Sequence, residues 1–216
     1  MAAAGGSEKK MCDVACDIIN DLHMKKEKRN IWEDSRWKHI AELENDDVGK
    51  AGEKMVDTFC RLAGVEASID GMKTKERGGG GNGDGTIYGK SVEIKTARQG
   101  SGSTSFQHEL GENPWNADYM LFLDISPDKM YLTVFPNFNK EFYEESGRNC
   151  KCKCEPYFPS KSITWRKQKG AFKLDTTVAI NVANSLKNLT FVFDNFTSDG
   201  FEKFKSYIDS VFGVET

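Results

Sequence analysis

The sequence predicts an α+β fold, or mixed α/β fold, with a central mixed β-sheet flanked by helices. Three observations indicate this class: helical periodicity in the first 64 residues, short β-like runs in the middle, and alternating helical and β-like segments toward the end. Of 216 residues, 38% are hydrophobic and 29% are charged, which provides enough apolar material for a core. This composition excludes a chain that is disordered throughout.

Membrane and secretory classes are also disfavoured. No apolar run approaches the roughly 18 residues that a membrane span needs, so we expect no membrane partner. The first ten residues lack the apolar stretch of a signal peptide, and Ala2 occupies the position where myristoylation requires glycine. We therefore expect the protein in the cytoplasm or nucleus of a cell, and not secreted.

The charge balance excludes a uniformly basic nucleic-acid binder. Thirty Lys and Arg residues against 33 Asp and Glu residues give a formal net charge of −3. Contacts with a phosphate backbone would therefore have to be local. Two local clusters are basic: residues 160–174, which contain no carboxylate, and Lys73, Lys75 and Arg77 just before a glycine-rich stretch. Such clusters are also typical of solvated surfaces.

Two helical regions are predicted first. Residues 8–45 show helical spacing with a break near Asn30, and we interpret residues 1–45 as an N-terminal helical arm that contacts DNA or a second subunit. Residues 46–216 form the main domain. Its first helix has N-cap candidates at Asp46 and Asp47 and a stop at Gly64. The predicted apolar face of that helix comprises Val48, Ala51, Met55, Phe59 and Leu62.

Strands and further helices follow in the main domain. Thr86–Tyr88 and Ser91–Thr96 are predicted to form a hairpin with a type II′ turn at Gly89 and Lys90, because glycine comes first in the two-residue loop. The remaining predicted elements are strands Tyr119–Ile125 and Met130–Phe135, a helix Phe138–Glu145, a hairpin of Ile163–Lys167 with Ala171–Leu174, a helix near Thr177–Leu186, a strand Leu189–Asp194 and a final amphipathic helix containing Phe201 and Val211.

The hairpin sorts its side chains by polarity. The predicted turn places Asp84 opposite Lys95, and successive strand residues alternate between faces. Ile87, Val92 and Ile94 then share a core-facing side, whereas Asp84, Thr86, Glu93 and Lys95 gather on the other side, off the core. Their Cβ atoms would lie within about 5–8 Å, close enough for two carboxylates to share one divalent cation. This pattern is typical of metal-dependent hydrolysis.

The hairpin, preceded by a helix that contains Glu53, resembles the PD-(D/E)xK or restriction-endonuclease-like nuclease superfamily. The similarity covers about Asp47 to Phe135. It implies that Asp84, Glu93 and the carbonyl of Ile94 bind Mg²⁺, with Mn²⁺ as a substitute. It also implies that Lys95 orients and polarises the attacking water. Glu53 would join the site only if its helix abuts the sheet edge, because it lies roughly 140° from the predicted apolar face.

The chain departs from the family pattern at two places. Gly83 stands where the motif often has proline, and Gln107 is followed by Gly111, so the Gln-x-x-x-Tyr extension of one branch is missing. The sequence resembles a type II restriction enzyme more than a resolvase. This implies a site-specific endonuclease for double-stranded DNA that acts as a homodimer, with residues 8–45 or 199–212 as candidate contacts.

Alternatives remain at this point. One is a structure-directed repair nuclease such as a Holliday-junction resolvase, and another is a non-catalytic DNA-binding module that acts through residues 160–174. A solvent-facing charged hairpin without function is the plainest alternative. The predicted DNA contacts are polar or basic residues that lie near the β-hairpin, in the loop after it or at the tip of a later hairpin. They are Lys73, Lys75, Arg77, Arg98, Gln99, Gln107, His108, Arg166, Lys167, Gln168 and Lys169.

Two other kinds of site are disfavoured by spacing. A phosphate-binding P-loop needs four residues between its glycines and a helix after Lys-Ser, but only three residues lie between Gly85 and Gly89, and a β-like run follows. We therefore expect no nucleotide cofactor. Cys150, Cys152 and Cys154 are spaced more closely than zinc ligands usually are, so a loop with thiols is favoured over a zinc site.

Overall fold

A six-stranded mixed sheet and a three-stranded antiparallel sheet form the framework of the protein. The computed structural model describes residues 15–20, 30–70, 83–111, 117–137, 154–166, 171–193 and 199–214. The predicted α+β class, with a central mixed sheet and helices against it, is confirmed. The predicted helix at Phe138–Glu145 lies outside the described residues.

The strands occur along the chain in an order that differs from their order in the sheets. They are β1 (Ala67–Ile69), β2 (Gly85–Ile87), β3 (Lys90–Arg98), β4 (Ser105–Gly111), β5 (Tyr119–Ile125), β6 (Met130–Pro136), β7 (Ile163–Arg166), β8 (Ala171–Thr177) and β9 (Thr190–Phe193). The large sheet has the order β1-β2-β3-β5-β6-β9, and the small sheet has the order β4-β8-β7. Strands β3 and β5 run parallel, whereas the other neighbours in the large sheet are antiparallel.

The helices of the described residues comprise three α-helices and several shorter helical segments. They are α1 (Asn45–Ala63), α2 (Val178–Ser185) and α3 (Gly200–Phe212), with 3₁₀ turns at Lys38–Ala41 and Ser160–Ser162 and a helical stretch at 15–20. None of the helices in the described ranges is both long and apolar enough to cross a bilayer. The predicted strands and helices from Tyr119 onward that lie in these ranges are confirmed.

Residues 30–44 are part of the main core and not a helical arm. They form turns and a 3₁₀ turn, and Trp32 and Ile40 are only 3% and 5% exposed in the cluster that lines α1. Trp37 Nε1 donates a hydrogen bond to the carbonyl of Ser126 at 2.8 Å, which ties this segment to the end of β5. Residues 30–44 therefore do not form the helix that the hydrophobic spacing predicted.

Helix α1 packs on the large sheet through a face centred on a glycine. Acidic residues in its first turn complement the helix dipole, and Gly64 ends it with φ of 71°. Its buried residues are Val48, Gly52, Val56 and Cys60. The predicted face is therefore wrong in part, since Leu62 is 53% exposed. Burial raises the pKa of Cys60 to about 12, so its thiol stays protonated at neutral pH.

Two apolar cores lie on the two faces of the large sheet. The first joins Val48, Val56, Ile87 and Val92 with Phe204 and Ile208 of α3. The second lies between the large and small sheets, where Met120, Phe122 and Phe135 meet Leu174 and Phe158. Because β5 is covered on both faces, its run Tyr-Met-Leu-Phe-Leu-Asp-Ile is apolar almost throughout and not alternating.

A polar contact fastens the β2–β3 hairpin to α3. Tyr88 donates a hydrogen bond to Asp209 Oδ1 at 2.5 Å, and Lys205 donates to Asp209 Oδ2 at 2.5 Å. Burial favours the neutral form of Asp209, but the hydrogen bonds from Lys205 and Tyr88 outweigh burial and lower the pKa of Asp209 below its usual value. The charged form of Asp209 therefore stabilises the fold.

Replacing Asp209 with Asn is expected to lower the free energy of unfolding by about 2 kcal/mol at pH 7, because hydrogen bonds to a buried charged group are lost. A lowered folded-state pKa gives stability that is present above the unfolded pKa of Asp and is lost as pH falls through the folded pKa. Urea unfolding at pH 7 and pH 2.5 would test this. The difference between wild type and variant should shrink at the lower pH; a constant difference would contradict the charge-based explanation.

Candidate active site

The hairpin that carries the predicted site turns one residue earlier than expected. Tyr88 and Gly89 occupy the two turn positions with φ of 49° and 69°, as in a type I′ turn. Ile87 pairs with Lys90 and Gly85 pairs with Val92. The predicted turn at Gly89 and Lys90 is therefore wrong, and the register differs by two residues. Because strand side chains alternate with period two, the predicted sorting of faces is preserved.

Asp84 immediately precedes β2, at the open end of the hairpin where the strand pairing stops. Its amide donates to the carbonyl of Val92 at 2.7 Å, and its Oδ2 accepts a hydrogen bond from the amide of Ile94 at 2.8 Å. The carboxylate therefore continues the hydrogen bonding of β3 beyond the last paired residue of β2. Continuing the register by one position places Asp84 opposite Glu93, not opposite Lys95 as predicted.

Glu93 and Lys95 form a close ion pair on the same face of β3. Lys95 Nζ is 2.6 Å from Glu93 Oε1, with side chains 23% and 3% exposed. Beside them on β5 lie Met120 and Phe122, which pair with Glu93 and Lys95 respectively and share their face. Of the Glu93 and Lys95 side chains, that of Lys95 is the more exposed to solvent.

The two acids are more buried than the sequence suggested. Asp84 is 0% exposed and Glu93 is 2% exposed, although both were predicted to lie off the core. The reason is that the small sheet packs on the same face of the large sheet, against Met120 and Phe122 next to Glu93, and that Asp84 folds against the β3 backbone. Truncating Asp84 to Ala would therefore remove a buried acceptor for the Ile94 amide and cost stability. Asn is the better substitution.

The donor atoms at this site fit Mg²⁺ or Mn²⁺ better than Zn²⁺. Asp84, Glu93 and the Ile94 carbonyl offer oxygen ligands, and Mg²⁺ commonly binds through one or two carboxylates while keeping several waters. Structural Zn²⁺ instead needs four closely arranged nitrogen and sulfur ligands. Among the residues that the structure describes, no group of three or more His, Cys, Asp or Glu side chains could hold an ion. Two carboxylates and one backbone carbonyl provide fewer side-chain donors than such a group would supply.

Glu53 is on the other side of β3 from the Glu93–Lys95 pair. It lies on α1, half-buried, directly after Gly52, whose backbone packs against Thr96 of β3. Thr96 and Lys95 are successive strand residues and face opposite sides. Around the axis of α1, Glu53 lies about 100° from Gly52, at the border of the buried face of the helix. This angle is smaller than the roughly 140° from the predicted apolar face.

Three predicted DNA contacts, Arg98, Gln99 and Gln107, lie at the end of β3, in the loop that follows it and on β4. Arg98 Nη1 donates to the carbonyls of Ile40, at 2.5 Å, and Leu43, and so holds the N-terminal turns. The contact of Arg98 with a DNA backbone stays a prediction, and in the structure this nitrogen is held by the N-terminal turns. Gln99 Nε2 donates to the carbonyl of Ser103 at 2.9 Å within its own loop. Gln107 is exposed on the outer face of the small sheet.

His108 is an interior residue and not a surface contact. Its Nε2 lies 2.7 Å from Asp124 Oδ1, and both side chains are at most 2% exposed. Asp124 Oδ2 also accepts hydrogen bonds from Thr176 at 2.6 Å and Asn181 at 2.7 Å. The prediction of a phosphate or base contact from His108 is therefore wrong for this structure, because the ring is enclosed between the two sheets.

Asp124 is a buried polar residue that the sequence reasoning missed. It joins β5 of the large sheet to β4 and β8 of the small sheet and to α2. A carboxylate inside a seven-residue apolar strand was the available signal, because such a residue is seldom buried without partners. The same cluster fixes the small sheet over the face that carries Glu93 and Lys95.

The remaining predicted contacts are only partly visible. Arg166 ends β7 with an exposed side chain, and its pairing with Ala171 confirms the predicted hairpin. Other predicted contacts lie outside the described residues: Lys73, Lys75, Arg77, Lys167, Gln168 and Lys169. Comparison with protein-family models and with curated proteins yields no match to this chain. The function is therefore inferred from the chemistry of the site.

Proposed function

We propose that the protein is a Mg²⁺-dependent endonuclease that hydrolyses phosphodiester bonds in double-stranded DNA, similar to a type II restriction enzyme. The observation that supports this most is the arrangement of Asp84 beside β3 and of the Glu93–Lys95 pair on it. Two acids and a lysine at the end of a hairpin are the groups that the PD-(D/E)xK resemblance implies.

The scaffold around these groups suits catalysis. Strand β3 lies in the interior of the large sheet between β2 and β5, and Ile94 and Val92 are buried in its core. Side chains on such a strand are held more firmly than side chains on a loop, which favours a defined catalytic geometry. A helix, a hairpin and two further strands in this order also agree with the family resemblance.

Each residue has a distinct proposed role. Asp84, Glu93 and the Ile94 carbonyl would hold Mg²⁺, with Mn²⁺ as a substitute. When bound, the ion would lower the pKa of a water ligand and offset negative charge on the phosphate. Lys95 carries the one positive charge of the group, and its ammonium can donate hydrogen bonds to the attacking water or to a phosphate oxygen. Burial of the acids would exclude bulk water and strengthen these interactions.

We also propose a homodimer. A palindromic DNA site is most simply cut on both strands by two subunits related by a twofold axis, because the symmetry of the protein then matches that of the site. Phe204 and Ile208 of helix α3 are buried in the core of their own subunit. A subunit contact through residues 199–212 would therefore use the opposite face of the helix. Sedimentation of the purified chain would test the oligomeric state.

Incubating long duplex DNA with the purified chain and Mg²⁺ tests the proposed activity. We expect discrete fragments with 5′-phosphate ends, and no cutting in EDTA. Cutting confined to branched junctions would instead favour a resolvase, and DNA that is retarded but intact would favour a binding module. Sequencing the fragment ends would give the recognition site. Absence of both cutting and binding across several DNA substrates would contradict the proposal.

A further inference from the structure

We propose that Lys95 is a built-in competitor of the divalent cation at Glu93, so that the cation binds only when the ammonium group leaves the carboxylate. This inference rests on the proposed function and concerns regulation of the same site. Its basis is the 2.6 Å contact between Lys95 Nζ and Glu93 Oε1, in which the carboxylate side chain is 3% exposed.

A buried carboxylate needs a nearby positive charge, because removal from water penalises the charged form. Lys95 supplies this charge to Glu93 through a hydrogen-bonded ion pair. Asp84 is bound differently, since its Oδ2 accepts a hydrogen bond from the Ile94 amide. The availability of Glu93 to a divalent cation therefore depends on the position of Lys95.

A magnesium ion and the ammonium group would compete for the same oxygen. Mg²⁺ binds carboxylate oxygens at about 2.1 Å, which is shorter than the 2.6 Å between Lys95 Nζ and Glu93 Oε1. The two cations also repel each other. Lys95 can respond, because lysine has a flexible four-carbon stem. Its side chain is 23% exposed, which leaves an outward path.

Displacement of the ammonium group from Glu93 would also free Lys95 for its proposed catalytic role. The ammonium group that leaves Glu93 becomes able to donate to a water or a phosphate oxygen. By linkage, any phosphate that attracts the released ammonium would in turn favour cation binding, since coupling between two binding events is reciprocal. The ion pair would thus couple the arrival of the cation to that of DNA.

The test is calorimetric titration of the full chain with Mn²⁺ at pH 8, without DNA. We expect Lys95→Met and Lys95→Gln each to bind Mn²⁺ about tenfold more tightly than wild type, because a competing cation is removed. Lys90→Met is the matched control: it removes one positive charge from an exposed position on the same strand and should change affinity less than about twofold. Circular dichroism would confirm that each variant is folded.

A second measurement uses wild type only and so does not depend on how the variants fold. Labelling of lysine amines followed by mass spectrometry should show that Lys95 becomes more reactive when Mn²⁺ is added, whereas Lys90 does not. Unchanged or weaker Mn²⁺ binding by both Lys95 variants, or unchanged Lys95 reactivity in a wild type that binds Mn²⁺ and cuts DNA, would overturn the competition and leave the nuclease proposal intact. Failure of wild type to bind Mn²⁺ or cut DNA would overturn both.

Discussion

Replacing Glu93 with Gln is expected to reduce DNA cleavage at least about a thousandfold while the protein remains folded. The substitution removes a carboxylate charge from the proposed cation site, and metal-based stabilisation of transition-state charge contributes several kcal/mol. A loss of about 4 kcal/mol corresponds to roughly a thousandfold decrease in rate. Folding should be preserved, because Gln has nearly the same shape and its amide oxygen can still accept from Lys95.

Single-turnover cleavage of a labelled duplex, together with thermal unfolding, would measure both effects. Glu202→Gln is a suitable control, since Glu202 is exposed on α3 and the substitution makes the same change of charge. It should cut at the wild-type rate. Cleavage by Glu93→Gln at the same rate as this control would rule out Glu93 as a metal ligand and, with it, the proposed site.

The hairpin shows how far local sequence could predict the site. Alternation placed Ile87, Val92 and Ile94 in the core and the polar residues on the other face, and this survived an error in the turn because the register moved by two residues. The turn itself depends on distant residues. Tyr88 adopts a positive φ, which is unusual for an aromatic residue, while its hydroxyl is bound by Asp209 of α3. No local pattern contains that contact.

Burial of the site was harder to predict, because it depends on the small sheet. In β4, Phe106, His108 and Leu110 are buried, whereas Gln107 and Glu109 are exposed. This alternation is present in the sequence and is typical of a strand, so β4 could have been predicted. The position of β4 over β5 could not have been predicted, because it is set by the pairing of β4 with β8, which is distant in the sequence.

Arg98 illustrates an inference that strand geometry could have corrected. Closeness in sequence to Lys95 suggested closeness to DNA. On a strand, however, residues three apart face opposite sides, and Arg98 accordingly binds carbonyls in the N-terminal turns. In helix α1, by contrast, the pattern of large apolar residues did not indicate which residue packs closest to the sheet. Gly52 is the place of closest approach to β3, and a glycine adds nothing to a hydrophobic pattern.

Replacing Gly52 with Ala is expected to lower the free energy of unfolding by about 3 kcal/mol or more. An added Cβ would lie 1.7 Å from Thr96 Oγ1 and 2.7 Å from Thr96 Cβ. Overpacking of this kind usually costs about 1–3 kcal/mol and costs more where neighbours cannot move. Thr96 is such a neighbour, because it is β-branched and its strand is paired with β5 along seven residues from Val92 to Arg98.

Gly49→Ala is the matched control, because nothing lies within 4 Å of its added Cβ and Gly49 is in the same helix. Here Ala should stabilise the protein by roughly 0.5–1 kcal/mol, since glycine disfavours helix interiors. Urea unfolding would thus show opposite signs for two chemically identical changes three residues apart. A Gly52→Ala, Thr96→Gly double variant should recover stability relative to Gly52→Ala. Equal stability of the two single alanine variants would mean that α1 does not approach β3 at Gly52.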